Sequence, residues 1–206
     1  MSRRLRAFLI IACLLLIAIF ACLDRSRSID HSLPTSSNQN KSLTDFEKYN
    51  GQTYAVVKVV DGDTIDIGIP DGNDDHTRIR LWGVDTPETK KPNTPIMYFG
   101  PEAYKFTLDT VLNKKVRVFL EKKQSRDRYS RLLAFVQLSD GKYLNEELLS
   151  EGFAYNDTRF KHSFSNQYKQ LESAARRKGE GLWKNVTVDQ MPDWRQKIER
   201  KLNSQN

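Results

Sequence analysis

The sequence predicts an α+β fold that is mainly β, a five-stranded barrel with about three packed helices. Short segments rich in β-branched and aromatic residues recur between residues 52 and 138, and turn-forming residues separate them. Longer segments with helical periodicity lie between the third and fourth of these segments and after the fifth. This order matches the partly open Greek-key barrel called the OB-fold.

The first three strands are predicted as a meander. Val and Ile are frequent in each strand, and Ile65, Ile67 and Ile69 alternate as expected when one strand face is buried. The first turn is Asp61-Gly62-Asp63, and a cluster of Pro, Gly, Asn and Asp forms the second. The predicted strands cover residues 52–60, 64–69 and 76–84.

A helix is predicted from Gly100 to Leu112, because Pro101 suits the first helical turn, where its missing amide hydrogen costs little. Strands follow at residues 116–120 and 132–138, the latter closed by the hairpin signal Asp140-Gly141. Two further helices are predicted over residues 144–150 and 163–178. The second has an apolar stripe that indicates core packing, made of Phe164, Tyr168, Leu171 and Ala175.

Residues 1–23 have the composition of a signal peptide or an N-terminal membrane anchor. Arg3, Arg4 and Arg6 precede an apolar run from Ala7 to Leu23. The tetrad ending at Cys22 resembles a bacterial lipobox, although Phe20 is bulkier than that pattern prefers. Three alternatives stay open: an uncleaved anchor that contacts the membrane, a cleaved signal, and lipidation at Cys22. All three predict that the folded part is extracytoplasmic, either secreted or held at the outer membrane face.

The rest of the chain divides into three parts. Residues 24–50 are rich in Ser, Asn and Gln and predict a disordered tether. Residues 51–186 form the predicted domain, which contains no cysteine, and residues 187–206 form a tail that allows a short helix. The net charge of +7 favours a polyanionic partner such as nucleic acid, although composition alone is weak support. A monomer is expected.

Acidic and basic residues cluster at the predicted strand ends. Carboxylate and carbonyl oxygens suit a calcium ion, so Asp63, Asp85 and the carbonyl of Thr86 are predicted to bind Ca²⁺. Glu88 could accept a proton from a water molecule, and Arg80 and Arg131 could hold phosphate oxygens. Each motif alone also fits a simple turn, and both Asp-rich turns lack the residues that an EF-hand loop requires.

The motifs resemble those of the staphylococcal nuclease, or thermonuclease, family, and the resemblance extends from about Tyr54 to Trp183. It implies an OB-fold nuclease that uses Ca²⁺ to hydrolyse DNA and RNA without sugar specificity, leaving 3′-phosphate ends. It also implies the roles given above, with Glu88 as general base. The matching stretches are Val59–Thr64, Arg80–Thr89, Gly100–Ala103, Asp127–Arg131 and Gly181–Trp183.

Tyr129 and Arg128 are predicted to contact the substrate. The resemblance implies this contact for Tyr129, and Arg128 stands where well-known members have lysine, which keeps the positive charge. Tyr155 is predicted to stack on a base, with a half-buried structural ring as the alternative. Ser130 replaces a common glycine and brings the reach of Arg131 into question. We interpret Arg126 as part of a solvated basic loop and His162 as a surface residue.

A non-catalytic OB-fold module that binds nucleic acid or protein is the alternative function. Modules of this kind usually lose one or more catalytic residues. This sequence retains Asp63, Asp85, Glu88, Arg80 and Arg131, and the nuclease hypothesis is therefore favoured.

Overall fold

The computed structural model describes residues 43–89 and 95–204. The strands are β1 (Thr53–Asp61), β2 (Thr64–Ile67), β3 (Thr77–Leu81), β4 (Val84–Asp85), β5 (Lys115–Phe119), β6 (Leu132–Gln137) and β7 (Tyr155–Asn156). The α-helices are α1 (Asp45–Tyr49), α2 (Gly100–Val111), α3 (Leu144–Ser150), α4 (Ser165–Lys178) and α5 (Asp193–Asn203). Short 3₁₀ helices cover Gly181–Lys184 and Val188–Gln190. The predicted signal or anchor, most of the tether and the lipidation site at Cys22 lie outside the described residues.

Five strands close into a barrel in the order β1–β2–β3–β6–β5, because β5 also pairs with β1. Neighbouring strands are antiparallel except β3 and β6, which run parallel. The predicted mainly β, OB-fold-like barrel with packed helices is confirmed. The sequence did not predict the additional β4–β7 pair, since two-residue strands are too short to show an alternating pattern.

The barrel interior is filled by the alternating apolar residues that the sequence marks. Ile65, Ile67, Ile79 and Val118 have no exposed surface, because side chains of period two point to one face of a twisted sheet. The stripe on α4 also packs inward, with Tyr168 fully buried. Its assignment to the core is confirmed. α4 ends at Lys178, and Gly179 follows with a positive φ of 68°, which suits a helix C-terminus.

Short helices lie beyond both ends of the predicted domain. At the N-terminal end, Thr44 and Glu47 form a capping box that begins α1, and Tyr49 is fully buried in the main core. At the other end, Arg195 of α5 forms buried ion pairs with Glu172 and Glu199. The packed structure therefore begins before residue 51 and continues past residue 186. Within the described residues, no helix is long and apolar enough to cross a bilayer.

Candidate active site

Strand pairing brings the predicted site residues into one cavity of about 380 Å³. Thr64 of β2 lies opposite Arg80 of β3, which places Asp63 beside Arg80. Because β3 and β6 are parallel, with Ile79 opposite Leu132, the residue before β6 also reaches this side of the barrel. That residue is Arg131. The cavity is lined by Asp61, Asp63, Arg80, Asp85, Thr86, Glu88, Arg131 and Arg159, among others.

The guanidinium of Arg80 bridges the two carboxylates predicted to bind metal. Its Nη1 lies 3.1 Å from Asp63 Oδ2, and its Nη2 donates to Asp85 Oδ1 at 2.5 Å. The amide of Thr86 also donates to Asp63 Oδ2, at 2.9 Å. Burial raises the pKa of Asp85 to about 6, although the positive charge of Arg80 opposes the rise. The three side chains form a compact, largely buried ionic cluster.

Asp61 and Glu88 form a second acidic pair in the same cavity. Burial raises the pKa of Asp61, and a hydrogen bond with the carboxyl group of Glu88 raises it further. Thr89 Oγ1 donates to Asp61 Oδ1 at 2.7 Å. Asp61 therefore contacts Glu88 and is itself held by the Thr89 hydroxyl.

The loop that carries Arg131 is held in a tight turn by Asp127. One oxygen of Asp127 accepts from the amides of Tyr129 and Arg131, and the other accepts from Arg131 Nε at 2.7 Å. Ser130 has a φ of +63°, the left-handed conformation that glycine adopts most easily. Serine at this position keeps the turn that a glycine would allow, and Arg131 lies in the cavity.

Two aromatic rings stand at the entrance to an adjoining cavity of about 550 Å³. Tyr129 is 64% exposed and Phe160 is 55% exposed, and both line this cavity together with Arg80 and Arg131. Arg128 also lines it, and its guanidinium lies 4.7 Å from the centre of the Tyr129 ring. The sequence predicted Tyr129 and Arg128 here and missed Phe160, because an isolated aromatic residue in a loop carries no periodic signal.

Tyr155 is not among the residues that line either cavity. Its ring has no exposed surface and packs edge-on against Trp183. A buried ring cannot stack on a base, so the base-stacking prediction for Tyr155 is wrong in this structure. The reason is that Tyr155 belongs to β7, whose pairing with β4 turns the ring into a small apolar cluster with Leu182 and Met191.

Two other predictions about single residues are also corrected. His162 is half-buried among Trp82, Phe135 and Tyr168 and is not a surface residue. Arg126 is not merely solvated, since it forms ion pairs with Asp45 at 2.8 Å and with Asp71 at 2.6 Å. Both residues contact segments that are distant in sequence, and local composition does not reveal such contacts.

Arg159 and Trp194 contact the site and were not predicted. Arg159 Nη2 lies 3.4 Å from Asp85 Oδ2, and Trp194 Nε1 donates to the same oxygen at 2.7 Å. Arg159 lies in the loop between β7 and α4, outside the predicted strands and helices. Trp194 lies in a stretch where Pro192 breaks the helical pattern, and neither residue has a local sequence signal.

The donor set fits a hard cation with few protein ligands. Within residues 43–89 and 95–204, no group of three or more His, Cys, Asp or Glu side chains could hold a metal ion. Asp63, Asp85 and the Thr86 carbonyl instead offer two carboxylates and one main-chain oxygen. Calcium accepts this kind of oxygen donor and completes its shell with water. That Asp63 and Asp85 already share one cation, the Arg80 guanidinium, shows that they can face a common positive charge.

An OB-fold-like barrel with carboxylates and arginines in one cleft has the groups that a nuclease-type hydrolase, an enzyme that cleaves phosphodiester bonds, requires. The profile of the staphylococcal nuclease homologues matches residues 78–185, which include the whole segment from Arg80 to Trp183. The chain belongs to the staphylococcal nuclease homologue family.

Individual relatives agree with this assignment. The thermonuclease of Staphylococcus hyicus is 41% identical over 137 residues, which cover 66% of this chain and 78% of that protein. The thermonuclease of Staphylococcus intermedius is 46% identical over 114 residues, covering 55% of this chain and 63% of that protein. Endonuclease YncB of Bacillus subtilis is 39% identical over 126 residues, covering 60% of this chain and 58% of that protein.

Proposed function

We propose that this protein is a calcium-dependent nuclease that hydrolyses DNA and RNA and leaves 3′-phosphate ends. The observation that carries the proposal is the single cavity that collects Asp63, Asp85, Glu88, Arg80 and Arg131. These groups provide oxygen donors for a cation, a proton acceptor and cationic donors for phosphate. Family membership and the named nuclease relatives support the same reaction.

Asp63, Asp85 and the carbonyl of Thr86 would hold the calcium ion. When bound, the ion supplies positive charge that stabilises the negative charge gained by the phosphate and polarises a phosphoryl oxygen. The chain prepares Asp63 for this role by holding its Oδ2 with the Thr86 amide and its Oδ1 with the Thr64 hydroxyl. A carboxylate fixed in this way loses little conformational entropy on binding.

The two arginines bind the phosphodiester, and Glu88 activates the attacking water. The planar guanidinium groups of Arg80 and Arg131 bind phosphate oxygens and hold the phosphorus in place. Glu88 takes a proton from the attacking water, whose oxygen bonds to phosphorus while the bond to the 5′ oxygen breaks. The departing 5′ oxygen takes up a proton from solvent water and becomes the 5′ hydroxyl of the second product. The 3′ oxygen thereby keeps the phosphate. Phosphate oxygens are common to DNA and RNA, which accounts for the expected lack of sugar specificity.

The adjoining cavity is proposed to hold the neighbouring nucleotide. Tyr129 and Phe160 present exposed rings on which a base can stack, and Arg128 supplies charge at the same entrance. Stacking tolerates every base because each has an aromatic face. A monomer is sufficient for this mechanism, since one chain supplies all of these groups.

The test is hydrolysis of single-stranded DNA and RNA by the purified full chain, with calcium or with chelator, followed by analysis of the product ends. We expect calcium-dependent cleavage of both and 3′-phosphate ends. Glu88→Gln is expected to slow turnover by about 100-fold or more, which is the usual value of a general base. Asp109→Asn is a control on an exposed helix position. Unimpaired cleavage in chelator, or none with calcium, would refute the proposal, and calcium-independent DNA binding without cleavage would favour a non-catalytic module.

We further propose that the enzyme acts outside the cytoplasm, because an apolar run follows the N-terminal arginines. Fractionation of cells that express the full chain, with protease added to intact cells, tests this location. Release by Cys22→Ala would indicate a lipid anchor. Recovery of the protein in the cytoplasmic fraction would exclude export.

A further inference from the structure

The two oxygens of Asp85 have different partners. Oδ1 accepts from Arg80 Nη2 at 2.5 Å. Oδ2 accepts from Trp194 Nε1 at 2.7 Å, and Arg159 Nη2 lies 3.4 Å from it. Trp194 lies on α5, beyond residues 78–185 that match the family profile. A residue outside the matched region therefore makes a short hydrogen bond to a proposed metal ligand.

Trp194 differs from the other two partners of Asp85 in charge. Arg80 and Arg159 carry positive charge, so a divalent cation at Asp85 repels both, and substrate phosphate competes for both. The indole of tryptophan is neutral and is a donor only. Its hydrogen bond to Oδ2 is therefore the contact that a bound cation disturbs least. It leaves Oδ1 to face Asp63 across the cavity, as the shared Arg80 guanidinium shows.

Packing fixes the position of the indole ring. Trp194 lies in the first turn of α5, and the guanidinium of Arg159 is 4.6 Å from the ring centre. Arg159 is in turn held by Asp157, with bonds of 2.8 Å from both Nε and Nη2. The Trp194 ring is therefore held on one face by Arg159 while its N–H group points at Asp85.

Buried ion pairs fix α5 to the rest of the domain. Arg195, next to Trp194, lies 3.0 Å from Glu172 of α4 and 2.9 Å from Glu199 of its own helix. Arg176 of α4 also bonds Glu199, at 2.8 Å. These contacts join α5 to α4, and the helix has little freedom to carry Trp194 away from Asp85.

We propose that Trp194 is a positioning residue for the Asp85 carboxylate, so that the C-terminal helix helps to set the affinity of the site for calcium. The inference rests on the proposed calcium dependence. Groups that orient a metal ligand through a hydrogen bond typically contribute 10–100-fold to metal affinity. The role is indirect, because Trp194 touches the ligand and not the substrate.

The test compares two Trp→Phe variants of the full chain. Trp194→Phe keeps most of the ring and removes the N–H donor to Asp85. Trp183→Phe is the matched control, because the Nε1 of Trp183 is buried without a hydrogen-bond partner in the described part of the chain. Calcium binding is measured by titration calorimetry without nucleic acid, and circular dichroism checks the fold. We expect Trp194→Phe to bind calcium at least about tenfold more weakly and Trp183→Phe to bind it like wild type.

A second comparison tests whether another N–H donor at position 194 restores calcium affinity. At about pH 8, Trp194→His keeps a neutral ring N–H and should bind calcium more tightly than Trp194→Leu, even if the Phe variant fails to fold. Equal calcium affinity in wild type and Trp194→Phe, or in the His and Leu variants, overturns the inference and leaves the proposed function intact. Wild-type protein that binds no calcium overturns both.

Discussion

At the residue scale, the site depends on a backbone conformation that residues other than glycine rarely adopt. Ser130 has a φ of +63° in the turn that presents Arg131, and Arg126 Nη1 donates to its carbonyl at 2.8 Å. The left-handed conformation costs a non-glycine residue about 1–2 kcal/mol. The turn is retained at this cost because Asp127 binds the amides on both sides of Ser130.

Ser130→Gly is expected to stabilise the protein. Relief of the left-handed strain should exceed the entropy that glycine adds to the unfolded chain, for a net gain of about 0.5–1 kcal/mol. Asn113→Gly is the control at a second positive φ, 60°, where asparagine is already tolerated and the gain should be smaller. Urea unfolding measures both variants. Destabilisation by Ser130→Gly would show that the serine side chain contributes more than its backbone strain costs.

His162 should make stability sensitive to pH. Burial lowers its pKa below the ordinary value of 6.5, and Nδ1 accepts from the amide of Phe164. Since the unfolded chain binds the proton more readily, the folded state loses stability as the pH falls through 6.5 toward the lower folded pKa. His162→Asn keeps an acceptor without this titration. Thermal unfolding is measured between about pH 8 and pH 5. As the pH falls, the Tm of the variant should rise relative to that of wild type, and a Tm difference that does not change with pH would contradict the prediction.

At the element scale, short helices connect distant parts of the barrel. Asp45 of α1 bonds Arg126 through both oxygens, and Arg126 also pairs with Asp71 in the turn after β2. These side chains are about a quarter exposed. The pair thus fixes α1, which contributes the buried Tyr49, to the β5–β6 connection.

Asp45→Ala is expected to cost about 1–2 kcal/mol, because Arg126 loses a two-pronged partner in a partly buried place. Asp109→Ala removes an ion pair in which the side chain of Lys105 is 72% exposed and that of Asp109 is 60% exposed. Its loss should cost about 0.5 kcal/mol of stability or less. Chemical denaturation of the two variants provides the comparison. Equal losses would mean that α1 is not fixed by this contact.

At the scale of the whole molecule, barrel closure assembles the site, and metal binding should stabilise the assembly. The proposed site has only two carboxylates and one carbonyl, which suggests a weak affinity of about 0.1–1 mM, as in calcium sites outside cells. A ligand that binds only the folded state adds stability that grows with the logarithm of one plus the ratio of its concentration to its dissociation constant. On the proposed function, calcium binding and folding should therefore be coupled through Asp63 and Asp85.

About 10 mM calcium should add roughly 1.4–2.7 kcal/mol of stability, since it exceeds the expected dissociation constant by about 10–100-fold. This corresponds to a rise in Tm of about 3–10 °C for a domain of this size. Differential scanning calorimetry with calcium and with chelator measures the shift. Asp85→Asn should abolish most of it. An unchanged shift in that variant would place calcium at another site.

The sequence determined the five barrel strands and the barrel class, because alternating Val and Ile and the turn motifs act over short distances. Asp63, Arg80, Asp85, Glu88 and Arg131 were predicted from the chemistry of their charged groups and from the family motifs, and the structure brings them to one cavity. Only the tertiary structure decided which other side chains reach that cavity. Trp194 contacts Asp85 across 109 positions of the chain. Packing likewise buried Tyr155 and placed Phe160 at the entrance. Contacts between distant segments depend on how whole elements pack, and no local pattern of residues encodes them.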